Sequence, residues 1–282
     1  MLEITDLIKK RVSCRTYADK PVETEVLREF SRIVAADHTG PFGNQPKFQL
    51  INLNMSSPQE WKKLGTYGVI KNARFFLVGK IIKSGEKAME DYGYCKEKLI
   101  LQATKLGLGT CWLGGTFNAG GFARAVGLRN DEVLPTVSPI GYPADQRSLT
   151  ERIMRRFAGS NNRRPWADIF FAGNFSTSLN EQQAGKYAQA LANVRLAPSA
   201  SNKQPWRILY DGSRNIFHFY LARAFGYEHL REVSLQDIDL GIAMSHFDLT
   251  IQELGLQGKW QVNSSAPQEK ALEYIATWQK NI

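Results

Sequence analysis

Arg11-Val-Ser13-Cys-Arg15 sets a hydroxyl between two guanidinium groups, a combination that could hold a phosphate through charge-assisted hydrogen bonds. Such bonds contribute about 1.5–3 kcal/mol each. Taken alone, a segment of this kind is more often a solvated helix end. Residues 197–206, Ala-Pro-Ser-Ala-Ser-Asn-Lys-Gln-Pro-Trp, offer a different chemistry. Pro198, Ser199, Ala200 and Ser201 let backbone approach a planar ligand, while the Asn202 and Gln204 amides supply donors and acceptors suited to a heteroaromatic ring. A rigid turn closed by Asx-type bonds is the competing account. In Cys111-Trp112-Leu113-Gly114-Gly115-Thr116, two glycines after an apolar run either expose backbone amides to a ligand or simply make a turn. Pro139-Ile140-Gly141-Tyr142-Pro143 reads as a strand end and turn.

The elements that must position these segments occur in two similar sets. A shorter relative of the second loop, Gly40-Pro-Phe42-Gly-Asn-Gln-Pro-Lys47, follows a helical stripe of Val26, Leu27, Phe30, Ile33 and Val34 and precedes a strand over Phe48 to Leu53. The later loop follows a stripe of Ala184, Tyr187, Ala188, Leu191 and Val194, and strands at Trp206–Tyr210 and Ile216–Leu221 come next, turning at Asp211-Gly212. Further on, Asp91-Tyr-Gly93 leads to Leu106-Gly-Leu108 and Trp112, and Asp239-Leu-Gly241 leads to Leu254-Gly-Leu256 and Trp260 at one constant offset. Recurrence at a fixed spacing points to an internal duplication. The helix over Gln236 to Leu254 is apolar around most of its circumference, so it is expected to be buried, between the halves or within one of them. The boundary falls in the polar stretch 148–162, giving halves of 1–158 and 159–282.

Composition bounds the function. With 43% hydrophobic and 22% charged residues, the 282-residue chain can build a sizeable core. Its 36 Lys and Arg against 27 Asp and Glu leave a net charge of +9, which permits anionic ligands without selecting one. Arg152, Arg155, Arg156, Arg163 and Arg164 cluster locally, but no basic run interleaves with aromatics, so nucleic acid is not the expected partner. The charged N-terminal decapeptide does not read as a secretory signal, and no stretch approaches the length of a membrane span. Cys14, Cys95 and Cys111 lack disulfide or metal spacing, and His38, His218, His229 and His246 lack metal spacing, so a cytoplasmic protein without a metal site is expected. His246 reads as a satisfied core or interface histidine, and Cys14 as a packing residue.

Together these pieces resemble the FMN-dependent nitroreductase family, in a single-chain form with two nitroreductase-like halves. The resemblance is carried by Arg11-Val-Ser13-Cys-Arg15, Pro198-Ser-Ala-Ser-Asn-Lys-Gln-Pro-Trp206, Leu106-Gly-Leu-Gly-Thr-Cys-Trp-Leu-Gly-Gly115, Ile140-Gly-Tyr-Pro143 and Arg163-Arg-Pro-Trp-Ala-Asp-Ile169. It implies an α+β, three-layer α/β/α fold whose duplication forms a pseudo-dimer, monomeric where family members pair as intertwined homodimers. It also implies that Arg11, Ser13 and Arg15 grip the FMN phosphate with help from Arg163. Pro198, Ser199, Ala200, Ser201, Asn202 and Gln204 would border the flavin ring, and Leu113, Gly114 and Gly115 would lie near its reactive nitrogen. The implied activity moves hydride from NADH or NADPH through FMN to a nitroaromatic, quinone or related small acceptor, with no catalytic acid or base assigned. The alternative is a flavin-binding or sensory protein with little turnover. The later half has no second Arg-x-Ser-x-Arg, and Phe42 intrudes in the shorter loop, so one complete FMN site per chain is expected.

Overall fold

The computed structural model describes residues 3–52, 66, 68–146, 148, 151, 162–224 and 232–281. The expected boundary at 158/159, the Arg152, Arg155 and Arg156 members of the basic cluster, Leu53 and His229 lie outside the described residues.

The first strands are β1 (Lys47–Asn52), β2 (Phe75–Ile82), which begins as a continuous apolar run, β3 (Gly109–Thr110), β4 (Glu132–Val133) and β5 (Val137–Gly141). These form one sheet in the order β1-β2-β5-β3, with β4 also on β2. A second sheet joins β6 (Phe170–Ala172), β7 (Trp206–Asp211), β8 (Ile216–Leu221), β9 (Gly258–Gln261) and β10 (Glu273–Lys280) in the order β6-β7-β8-β10-β9. The paths β1-β2-β5-β3 and β7-β8-β10-β9 match strand for strand, and every pairing along them is antiparallel. The exception is β6, which lies parallel to β7 and extends the second sheet at its edge.

The α-helices among the described residues are α1 (Ile4–Lys10), α2 (Thr24–Ala35), α3 (Ala88–Lys105), α4 (Ala119–Ala125), α5 (Glu181–Ala184), α6 (Ala188–Arg195) and α7 (Leu235–Glu253). The second apolar stripe, read as one helix, is interrupted. Gly185 adopts φ +55, a conformation that favours glycine, and residues 185–187 form a 3-10 turn between α5 and α6. Helix α7 is buried along its length and packs against α3, α6 and α1. Helix α3 is buried almost as completely even though it carries Glu90, Asp91, Lys96 and Glu97. One apolar core runs through both sheets and both long helices, drawing on Phe48, Leu77 and Ile100 from one side and Ile208, Phe217 and Phe247 from the other. No helix among the described residues is long and apolar enough to cross a membrane.

Candidate functional site

Helix α1 ends when Arg11 turns to extended backbone while its N–H still donates to Leu7 O. The following segment lies beside β3, with Ser13 bridged to Thr110 and Cys14 N donating to Thr110 O. Arg11 and Ser13 thereby line a cavity of about 590 Å3, together with Thr16, Asp145 and Glu151. The Nε atoms of Arg11 and Arg15 are both buried without a hydrogen-bond partner. Buried guanidinium nitrogens without a hydrogen bond are costly, and an anionic ligand would supply one. Burial, and secondarily Glu151, pushes the Cys14 thiol up to about 11, and burial also raises Cys111, so neither is an available thiolate.

The loop at 198–204 is held in an unusual backbone path. Ser201, Asn202 and Gln204 have φ values of +46, +55 and +51, which for residues with a β-carbon costs roughly 1–2 kcal/mol each. Several bonds fix it there. Ala200 N donates to both Asp239 carboxylate oxygens at 3.0 Å, and Gln204 N donates to Ser199 Oγ at 2.9 Å. Arg163 Nη1 donates to Asn202 Oδ1 at 2.7 Å, Arg164 N to Gln204 Oε1 at 2.9 Å, and Asn202 Nδ2 to Asn162 O at 2.7 Å. The Asn202 and Gln204 amides thus engage the 162–164 segment. Arg163 also donates to the Leu196 and Ala197 carbonyls, and burial, then Arg11 and Arg195, lower its pKa to about 10. Arg163 is thus near enough to Arg11 to feel its charge.

Leu113 bridges to Val137, which carries the chain past the end of β3 and sets Gly114 against the loop. Gly114, Pro198, Ser199 and Ala200 line a slot of about 50 Å3 with Trp112, Thr136, Leu235, Asp239 and Ile242. A β-carbon on Gly114 would meet Leu235 Cδ2 at 2.8 Å, so Leu235 closes the slot against that glycine. Gly115 is exposed beside it. Burial raises the Asp239 carboxyl well above the usual range, with a smaller contribution from Asp237.

Between cavity and slot runs a polar network that motif reading missed. Glu97 accepts from Trp112 Nε1 at 2.8 Å, lies 3.0 Å from His246 Nε2 and is 3.8 Å from Arg11 Nε. His246 Nδ1 must donate to Asn193 O, 2.9 Å away, so this histidine is a satisfied interface residue that joins α7 to α6 and, through Glu97, to α3. One carboxylate therefore touches both the Arg11 end and the Trp112 wall of the slot. Burial of charged residues from α3 has no local signature, but aligning α3 with α7 offers a clue, because Met244 and Ser245 stand where Lys96 and Glu97 do.

The shorter loop is tied to Asp91 as the longer one is to Asp239. Asp91 accepts from Phe42 N, Asn44 N and Asn44 Nδ2 at 2.9–3.0 Å, and a β-carbon on Gly40 would collide with the Asp91 side chain. Phe42 packs on the core there, and Val262 stands at the counterpart of Gly114.

A family model described as "Putative TM nitroreductase" matches residues 3–251. The crystal structure of a "putative nitroreductase" from Thermotoga maritima MSB8 superposes with a TM-score of 0.61 at 20% identity, covering 99% of this chain and 94% of that one. A "Putative NADH dehydrogenase/NAD(P)H nitroreductase" from Methanothermobacter thermautotrophicus is 25% identical over 154 residues, which is 51% of this chain and 79% of that protein. A nitroreductase with bound FMN from Desulfitobacterium hafniense DCB-2 covers 52% of this chain and 93% of its own, at 16% identity and a TM-score of 0.41.

Proposed function

This chain belongs to the nitroreductase family and has its fold, and from that premise we propose that it is an FMN-dependent oxidoreductase using NADH or NADPH to reduce a nitroaromatic, quinone or related small acceptor. The observation that carries the cofactor is the pair of buried Nε atoms on Arg11 and Arg15, neither with a hydrogen-bond partner among the described residues and the former with only Glu97 at 3.8 Å, with Arg163 near enough to Arg11 to feel its charge. Those residues fit a phosphate. FMN bound there would supply two-electron chemistry between a nicotinamide donor and the acceptor.

Arg11, Ser13, Arg15 and Arg163 hold the phosphate in this reading, and Arg163 also fixes the 198–204 loop through Asn202. Leu113, Gly114 and Gly115 offer backbone to the ring from one side, and the Pro198 to Gln204 loop borders it from the other through Pro198, Ser199 and Ala200, with its Asn202 and Gln204 amides holding the loop to residues 162–164. A slot of about 50 Å3 is far smaller than a three-ring heterocycle, so binding requires Leu235 to turn aside from Gly114. Two halves within one chain supply what two subunits otherwise would, and the protein acts as a monomeric pseudo-dimer with one FMN. The asymmetry of the two loops supports that count, since Phe42 packs where the longer loop leaves a slot. Three free, buried cysteines suit a reducing cytoplasm.

The test is the absorbance spectrum of the purified protein, followed by FMN titration and anaerobic stopped-flow mixing with NADH and NADPH. A flavin spectrum, one equivalent of FMN and rapid bleaching are expected. A protein that cannot be loaded with FMN refutes the assignment, two equivalents refute the single site, and loading without bleaching favours a binding or sensory role.

A further inference from the structure

Lys96 is fully buried in the middle of α3, yet it makes no ion pair among the described residues. Its Nζ donates to Thr136 Oγ1 at 2.7 Å and lies 4.7 Å from the Trp112 ring centroid and 5.7 Å from that of Tyr92. Thr136 and Trp112 are both walls of the slot between Gly114 and Ala200. The ammonium is therefore set directly behind the slot, screened from water, and held by a hydroxyl and two ring faces. At the matching position of α7 the residue is Met244, so neither the helix nor its packing calls for a lysine here.

A buried amine with so few partners is expensive to keep charged. Burial lowers its proton affinity well below the ordinary lysine value, and only the nearby Glu97 and Cys111 oppose that. Asp239 faces the slot from α7, where burial disfavours its charged form. Negative charge appearing in the slot would compensate Lys96 strongly, because charges interact far more in a dry interior than in water.

We infer that Lys96, acting through the Thr136 and Trp112 wall, stabilises the negative charge that the flavin ring gains on reduction and so sets how readily the bound cofactor accepts electrons. This rests on the flavin reading above. Hydride from a reduced nicotinamide brings two electrons and one proton, leaving one net negative charge on the ring while the donor departs oxidised. Lys96 donates no atom in that exchange. It is an electrostatic partner whose charge, or uptake of a proton from water, offsets the new anion.

Sulfite is the probe, because it adds to the oxidised ring with no leaving group, forming one bond to a ring nitrogen while the electron pair of the ring C=N π bond moves into the same anionic region. FMN-loaded wild type and Lys96→Met are titrated with sulfite and their flavin midpoint potentials compared. Lys96→Met is expected to weaken sulfite binding at least about fivefold and to shift the potential negative. A smaller change in sulfite affinity, with both proteins carrying FMN, overturns the role of Lys96 alone, whereas wild type that takes up no FMN overturns the flavin reading itself. Removing a buried charge is seldom destabilising when the replacement fills the space. Should Lys96→Met nevertheless not fold, Thr136→Val decides, with at least about a twofold loss expected and less than that overturning the inference.

Discussion

Gly93 in α3 and Gly241 in α7 are each pressed against the backbone of the other's helix. A β-carbon on Gly93 would collide with Ile238 O, and one on Gly241 would collide with Glu90 O and crowd Tyr94 N. Ile238 and Glu90 themselves occupy matching places one residue before Asp239 and Asp91. The contact is thus the same surface used twice, as at a two-fold dimer interface, but inside one chain.

Because backbone cannot swing away as a side chain can, Gly93→Ala or Gly241→Ala should cost about 3 kcal/mol or more. Urea unfolding measures this. Gly114→Ala meets only the flexible end of Leu235 and should cost far less. Equal losses at all three positions would show that the helix crossing is not the constraint.

Arg11→Ala and Arg15→Ala should each weaken FMN by roughly 10–100-fold, the worth of about 1.5–3 kcal/mol in charge-assisted bonds. Riboflavin, which lacks the phosphate, should bind nearly as before. Fluorescence titrations with both ligands separate a phosphate grip from general damage to the site.

Asp239→Ala should leave Ala200 N without its acceptor and free the strained loop, at about 1–3 kcal/mol. Asp239→Asn keeps an acceptor oxygen and should lose less. Because Ser201, Asn202 and Gln204 are held in left-handed backbone, the Ala variant should also bind FMN more weakly, read as a slower approach to saturation and a higher Kd.

Glu90, buried at the same helix crossing, has its carboxyl pushed up to about 7 from 4.5, first by burial and then by Asp237. The folded protein therefore holds more protons than the unfolded chain between those values, and stability falls as pH rises through the window. Above about 7 this contribution is constant. Relative to Glu90→Gln, wild type should lose on the order of 2–3 kcal/mol between about pH 4.5 and pH 8. Denaturant midpoints of both proteins across that range check the sign.

Local periodicity made much of the scaffold legible. β8 runs Ile216–Leu221, as its apolar run suggests, and α7 differs by a residue at each end from its apolar stretch. β6 is short and pairs with β7 from a distant part of the chain, so no alternation marks it. Gly185 breaks a stripe that spacing alone joins, because a periodic pattern survives a single left-handed residue. At the site, the glycines and the Pro198 loop stand out by residue type. Lys96, Glu97, His246 and Leu235 do not, since their significance comes from what another helix or turn places against them. The same tertiary cause diverts Asn202 and Gln204, whose amides face Asn162, Arg163 and Arg164.

A homodimer must accept every substitution at both of its sites together, since one gene writes both. Here Phe42 rests on the core while its counterpart loop leaves Ala200 lining a slot, and Asp91 carries three bonds where Asp239 receives a single N–H. Each loop is encoded separately, so one can harden into scaffold while the other is tuned for a ligand, a freedom that subunit symmetry withholds.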